Sequence, residues 1–223
     1  MIITEQKPFA EILAMLERHH SIFVLGCGVC AATWHTGGAP EVQALASQLR
    51  EAGKQCAGWS VTEEACCDSR LTRRVLRQSN TALSVSDAVV VMACGAGVQT
   101  VASLVDLPVY PGLNTLALSQ IQSLSLAWER CRLCGDCILA ETGGICPVAR
   151  CAKGLMNGPC GGYADGKCEV DRTQDCAWVL IYERLQQLGQ AEHFAAIREP
   201  KDWSRMRSPR VVDKKGADRE RSG

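Results

Sequence analysis

The sequence predicts an α/β protein in which a parallel sheet flanked by helices precedes a small, irregular Cys-rich module, a closing helix and an extended tail. Apolar runs of strand length alternate with amphipathic helical segments through residues 1–125. Eight cysteines then crowd into the 46 positions from 131 to 176. The end of the chain is charged and has no cysteine. We therefore predict three regions, at 1–125, 126–190 and 191–223.

The α/β region shows a regular alternation of strand and helix. Amphipathic spacing predicts helices, and β-branched or continuous apolar runs predict strands. A further helix at Ala177–Leu188 would close the Cys-rich module. The predicted helices of the first region are Pro8–His19, Glu41–Ala52, Leu71–Gln78 and Gly97–Leu104, and the predicted strands are Ser21–Gly26, Gln55–Val61, Asp87–Ala93 and Pro108–Pro111. Such alternation is typical of a parallel sheet covered by helices.

Composition limits the classes of function. Lysine plus arginine balances aspartate plus glutamate at 24 each, so no global field would attract nucleic acid. No apolar run is long enough to span a membrane, and no signal-peptide pattern is visible at the N-terminus. These features predict a cytoplasmic protein. Fourteen cysteines in a reducing compartment favour metal binding over a disulfide framework.

Cysteines follow three of the predicted strands. Cys27 and Cys30 come after the first, Cys66 and Cys67 after the second, and Cys94 after the third. The carboxyl ends of parallel strands share one edge of the sheet, where ligands bind. We therefore predict a site made by Cys27, Cys30, Cys67 and Cys94. Adjacent side chains diverge, so Cys66 is interpreted, like Cys56, as a small buried apolar residue.

The second cysteine group carries a stronger pattern. Cys131, Cys134 and Cys137, followed by Cys146-Pro147, come close to the run that holds a four-iron cluster in bacterial ferredoxins, although the last interval is longer. The remaining cysteines are Cys151, Cys160, Cys168 and Cys176. Eight thiolates suffice for two clusters, or for one cluster and a zinc site. With the first group, the chain would hold two or three [4Fe-4S] clusters, with zinc as the alternative at one site.

The rest of the sequence offers no catalytic apparatus. No dinucleotide-binding glycine pattern follows a strand, and no nucleophile and base have usable spacing. His35 is interpreted as a surface residue. The predicted function is therefore electron transfer, with no catalytic residue in this chain. The tail is either solvated or wraps a partner through Trp203.

The segment Cys131–Val170 resembles the C-terminal domain family of methylenetetrahydrofolate reductase. Its phrases NGPCGG and GKCEV carry the resemblance, which extends upstream to LGCGVCAATWHTGG at Leu25–Gly38 and covers all but the tail. This chain departs from the family pattern at Trp34, where the resemblance leads us to expect a further cysteine. Members of the family are described as zinc-binding in some cases and as iron–sulfur proteins in others.

The resemblance implies a small subunit that accompanies a flavin-containing catalytic subunit. That partner reduces methylenetetrahydrofolate to methyltetrahydrofolate, and ferredoxin or a larger reductase would donate the electrons. Electrons would enter through the cysteines of 131–176 and reach the flavin, with the site of Cys27, Cys30, Cys67 and Cys94 as an intermediate station. A zinc-stabilised scaffold of the same complex is the alternative function.

Overall fold

The computed structural model describes residues 1–206, 208–209 and 212. The chain forms two compact units, Met1–Glu129 and Arg130–Gly223. The division falls after residue 129, whereas the sequence placed it after residue 125. Most of the predicted tail beyond Met206 lies outside the described residues.

A parallel sheet forms the centre of the first unit and confirms the predicted α/β class. In chain order the strands are β1 (Ile2–Gln6), β2 (Ser21–Cys27), β3 (Gln55–Thr62), β4 (Ala88–Met92), β5 (Val109–Pro111), β6 (Leu113–Ser123) and β7 (Leu126–Cys131). The parallel sheet has the order β3-β2-β4-β5. β4 is buried along its whole length, and β2 is buried at every residue but its first. Strands covered on both faces need apolar side chains throughout, which explains the continuous apolar runs in both sequences.

Helices cover this sheet. In the first unit they are α1 (Phe9–Met15), α2 (Cys30–Thr33), α3 (Ala39–Glu51), α4 (Ser69–Gln78), α5 (Asn80–Leu83) and α6 (Gly95–Ala102). The N-terminus of α3 is capped by Glu41, whose carboxylate accepts the Gly38 N–H at 2.9 Å. The predicted first helix ends early, at Met15, because the Lys54 ammonium binds the carbonyls of Leu16 and His19 at 2.8 and 2.7 Å.

A second, antiparallel sheet in the first unit was not predicted. Its order is β1-β6-β7, and Ile3 of β1 lies opposite Ala117 of β6. The sequence of β6 alternates apolar and polar residues only weakly, and its partner β1 lies far away in the chain. Local patterning therefore gave no signal for this pairing.

The second unit has little regular structure. It contains α7 (Pro147–Arg150), α8 (Ala177–Gln187), α9 (Glu192–Ala195) and single 3₁₀ turns at Leu139–Thr142 and Trp203–Met206. Its small core joins Trp178, Ile181 and Leu185 of α8 to Cys176. Among the described residues, no helix combines the length and apolar character needed to cross a membrane.

Candidate functional site

The first cysteine group lies where three strands of the parallel sheet end. Cys27 is the last residue of β2 and pairs in register with Thr62 of β3, and Gly26 pairs with Met92 of β4. The connection after β3 carries Cys66 and Cys67, and Cys94 directly precedes α6. The fold therefore brings five cysteines to one edge, which we call the sheet-edge group: Cys27, Cys30, Cys66, Cys67 and Cys94.

Two thiols of the sheet-edge group contact each other. A hydrogen bond with the Cys66 thiol lowers the pKa of Cys27 to about 5, and this outweighs burial, which raises it. The same hydrogen bond, burial and the neighbouring Cys94 and Cys67 thiols raise the pKa of Cys66. Both side chains are almost fully buried. The contact thus favours the thiolate form of Cys27 and the protonated form of Cys66.

The geometry distinguishes Cys66 from its neighbour Cys67. The sequence favoured Cys67 as a ligand, but in the structure Cys67 is exposed and Cys66 is the residue that contacts Cys27. Partial burial and the nearby Cys94 raise the pKa of Cys67. The sequence feature related to the position of Cys66 is Gly97. A Cβ at position 97 would come within 2.3 Å of the Cys66 sulfur, so a glycine is needed there. The Cys-Gly-Ala-Gly sequence at the start of α6 thus leaves room for this thiol.

Close backbone contact holds the loop between Cys27 and Cys30 in place. The Gly28 N–H donates to the Thr62 carbonyl at 2.8 Å, and a Cβ on Gly28 would lie 2.1 Å from that oxygen. Only glycine allows this approach. The loop after β2 is therefore fixed against the end of β3, where the other cysteines lie.

Two further residues of this region, Cys56 and His35, lie outside the sheet-edge group. Cys56 lies within β3, packs against the core, and donates to the Gly58 carbonyl at 3.5 Å. Burial raises the pKa of its thiol. His35 has a left-handed backbone with φ of 53° just after α2. Neither residue belongs to the sheet-edge group.

The loop Cys131–Cys137 has the backbone of a ligand-wrapping turn. Leu133 and Gly135 adopt left-handed φ values of 56° and 80°. The Leu133 N–H donates to the Cys131 sulfur at 3.3 Å, and the Cys134 thiol donates to the Asp136 carbonyl at 3.5 Å. These contacts hold the sulfurs of Cys131 and Cys134 close to the backbone of the turn.

A separate pocket gathers the other four cysteines of the second unit. Its apolar wall includes Trp178. The cysteines that line it are Cys151, Cys160, Cys168 and Cys176, which we call the pocket cysteines. Cys176 is also the N-cap of α8, so the positive end of this helix lies at the pocket. The fold thus divides the eight cysteines in a way that their spacing did not show.

Cys146 lies one helical turn from the pocket cysteines. It caps α7, and the Cys151 N–H that ends this turn donates to the Pro147 carbonyl at 2.9 Å. Pro147 begins the helix, where its lack of an N–H costs nothing. Cys146 itself does not line the pocket.

A charged pair adjoins the pocket. The Cys160 thiol donates to Glu169 at 3.2 Å, and the Lys153 ammonium binds the same carboxylate oxygen. Lys153 and, to a smaller degree, the Cys160 thiol lower the pKa of Glu169. The Glu169 ion pair raises the pKa of Lys153. Both members line the pocket wall, so a fixed dipole stands beside Cys160.

The chemistry of these donors decides which groups could bind. Within the described residues, no three histidine, cysteine, aspartate or glutamate side chains are placed to hold a single metal ion. The donors in each cysteine group are thiols, which select zinc, copper(I) or iron–sulfur clusters over hard cations. The N–H to sulfur bond in the 131–137 turn and the helix N-terminus at the pocket both suit an anionic thiolate group. In donor chemistry, though not in their present placement, the cysteines therefore suit iron–sulfur or zinc binding.

One comparison with known proteins matched a family model over part of the chain. Residues 110–204 match the family model described as methylene-tetrahydrofolate reductase C terminal. The match includes all eight cysteines of 131–176 and leaves residues 1–109, with the sheet-edge group, outside it. Searches of curated proteins and of solved structures gave no match. Residues 110–204 are thus similar to the methylene-tetrahydrofolate reductase C-terminal family.

Proposed function

We propose that the chain is the electron-transfer subunit of a methylenetetrahydrofolate reductase complex. It would pass electrons through iron–sulfur clusters to or from a flavin-containing catalytic subunit. The observation that carries this proposal is the pocket in the family-matched region, lined by Cys151, Cys160, Cys168 and Cys176 at the N-terminus of α8. A cluster with four thiolates is an anion, which the partial positive charge of a helix N-terminus stabilises.

Three sets of thiols would hold the clusters. The pocket cysteines make one set, and Cys131, Cys134, Cys137 and Cys146 make a second. The sheet-edge group makes a third, in which Cys66 or Cys67 joins Cys27, Cys30 and Cys94. When bound, the clusters supply one-electron transfer at potentials set by their protein surroundings. Ligation would draw the thiols of each set together, because metal binding and local folding are coupled.

The division of labour between subunits follows from this assignment. Folate binding and hydride transfer belong to the flavin-containing partner, and ferredoxin or a larger reductase supplies the electrons. The residues of this chain would hold the thiolates and surround them with charge. The predicted cytoplasmic location belongs to this proposal.

Anaerobic co-expression with the flavin-containing subunit tests the proposal. The complex should show absorption near 400 nm that bleaches on reduction, and the reduced chain should then transfer electrons to the flavin in a stopped-flow experiment. Cys134→Ser should lose part of the iron and slow flavin reduction. Cys56→Ser, a matched change of a cysteine outside the proposed sets, should retain both. A complex that reduces its flavin equally well with either variant would contradict the proposal.

A zinc-binding scaffold is the second candidate, and one contact favours it at the sheet edge. Structural zinc is bound by cysteine thiolates. The hydrogen bond with the Cys66 thiol lowers the pKa of Cys27 and so favours the thiolate that zinc would bind. A chain that contains zinc alone, and that no longer assembles the complex once the zinc is chelated, would support the scaffold over the electron relay.

A further inference from the structure

The polypeptide after α9 returns across the Cys-rich unit. Arg198 makes the first contacts: its Nε donates to Glu141 Oε2 at 2.6 Å and its Nη2 to the Glu141 carbonyl at 2.9 Å. The guanidinium lies 5.7 Å from the centre of the Trp178 ring, within range of a cation–π interaction. Only 10% of the Arg198 side chain is exposed. Arg198 therefore fixes the returning segment to the core of the second unit.

The backbone of Arg198 also fixes the loop before Cys160. Its N–H donates to Asn157 Oδ1 at 2.8 Å, and Asn157 Nδ2 donates to its carbonyl at 3.0 Å. This reciprocal pair is the pattern that neighbouring strands use, here between a side chain and the main chain. Asn157 belongs to the NGPCGG phrase, so the contact reaches the pocket side of the unit.

Lys201 makes the corresponding contact with the other cysteine loop. Its ammonium binds the Asp136 carbonyl and lies 3.3 Å from Asp136 Oδ2. Asp136 stands between Cys134 and Cys137. The Lys201 side chain is 2% exposed, whereas the Asp136 carboxylate is 42% exposed. A buried positive charge therefore lies beside the turn that carries three cysteines, and its counter-charge faces water.

The next residues pack directly on the same turn. A Cβ on Gly135 would meet the Arg205 Cβ at 3.0 Å and the Arg205 carbonyl at 3.2 Å. Gly135 has a left-handed backbone conformation, which favours glycine. Arg205 also leaves no room for a Cβ at this position. The segment from Arg198 to Met206, which we call the strap, thus contacts the 131–137 turn at two points and the 157–160 loop at one.

We propose that the strap is part of the cluster site and that the Lys201 ammonium sets the reduction potential of the group held by the 131–137 turn. This inference rests on the proposed function. Reduction adds a negative charge to a cluster, and a buried cation stabilises that charge far more than an exposed one. Lys201 thus raises the potential, while Arg198 is the positioning residue that holds the strap in place.

A redox titration of the full chain, followed by electron paramagnetic resonance, tests the tuning role. Lys201→Met should move one midpoint potential to a more negative value while iron content stays at the wild-type level. Lys201→Arg, which keeps the charge, should recover most of the shift. Arg172→Met removes an exposed cation of the same unit that lies outside the strap, and the potential of this variant should stay near that of the wild type. Equal shifts in Lys201→Met and Arg172→Met, or no shift in either, would overturn the tuning role.

Amide hydrogen exchange tests the strap itself, whatever metal the chain holds. Lys201→Met should speed exchange at residues 134–137, and Arg198→Met should speed exchange at residues 155–160. Unchanged exchange at both loops would overturn the proposal that the strap holds these loops in place. A wild-type chain without iron would overturn the proposed function and the tuning role together. Failure of the tuning role alone shows instead as an iron-containing chain whose potential ignores Lys201.

Discussion

The two cysteine-bearing regions of the molecule rest on different kinds of support. The sheet-edge group sits on a sheet whose core is apolar and continuous, with Phe23, Leu25 and Val90 fully buried. The pocket cysteines and the 131–137 turn lie in irregular chain around a small core centred on Trp178. The first region has an apolar core large enough to fold by itself, whereas the second would gain much of its stability from the metal that we propose it binds. The sheet-edge site would thus be built on a stable sheet, and the second unit would fold around its metal.

Removal of metal should show the largest difference between the regions. Chelation under reducing conditions should leave exchange protection in β2 and β4 intact and should abolish most protection in residues 131–176, because an extensive apolar core stabilises the former and only a small one the latter. Hydrogen exchange measured by mass spectrometry on the same sample reports both regions at once. Equal loss in the two regions, or equal retention, would contradict the comparison.

A change in the small core should come next in size. Trp178 is 1% exposed, and its indole N–H donates to the Leu155 carbonyl at 3.0 Å. Trp178→Ala should destabilise the second unit by about 3–5 kcal/mol, because it leaves a cavity and an unsatisfied carbonyl. Urea unfolding followed by circular dichroism measures this.

The control for that change is another tryptophan of the same unit. Trp203 is 46% exposed, so Trp203→Ala should alter stability by about 1 kcal/mol or less. If Trp203→Ala proved as costly as Trp178→Ala, the core of the second unit would not be where we place it.

The sheet edge should respond to a single methyl group. Gly97→Ala would place a Cβ 2.3 Å from the Cys66 sulfur and 2.9 Å from the Ala93 Cβ, and should cost about 1–3 kcal/mol while it displaces Cys66. Gly95→Ala, in the same helix, meets only Thr115 Oγ1 at 3.8 Å and should be nearly neutral. Thermal unfolding and metal content of the two variants measure the effect. Equal behaviour would show that Cys66 does not need the space beside Gly97.

The smallest expected effect is on the titration of the Cys27 thiol. Its pKa of about 5 lies below the ordinary value of 9.0, so the thiolate stabilises the metal-free fold fully above pH 9. That contribution shrinks as pH falls from 9 and is lost below pH 5. Thiolate absorption at 240 nm in the metal-free protein should show a midpoint near pH 5. Cys66→Ala should move this midpoint upward, since the hydrogen bond is lost, and Cys56→Ala should leave it in place.

The sequence predicted the parts of the fold that are local. The continuous apolar runs at Ser21–Cys27 and Ala88–Met92 gave the parallel strands, and the loops that follow them placed Cys27 and Cys94 at one edge. The pairing of β1 with β6 could not be predicted in this way. It joins residues more than a hundred positions apart, and neither strand has the strong alternation that marks a half-buried sheet.

The grouping of the cysteines into sites could likewise be predicted only where it depends on the local sequence. The spacing of Cys131, Cys134 and Cys137 marks one turn, but spacing does not divide the remaining cysteines among sites. That division depends on how α8 packs behind Cys176 and on the turns between Cys151 and Cys168, which are set by tertiary contacts. The choice between Cys66 and Cys67 likewise depends on the space beside Gly97, a contact between distant segments.

The central claim is that thiolates of this chain hold iron–sulfur clusters. Its most direct test is the measurement of iron, acid-labile sulfide and zinc in the full chain purified without oxygen. The account predicts about eight to twelve iron atoms per chain, matched by sulfide, for two or three four-iron clusters. Zinc without iron, or cysteines joined in disulfides, would contradict it.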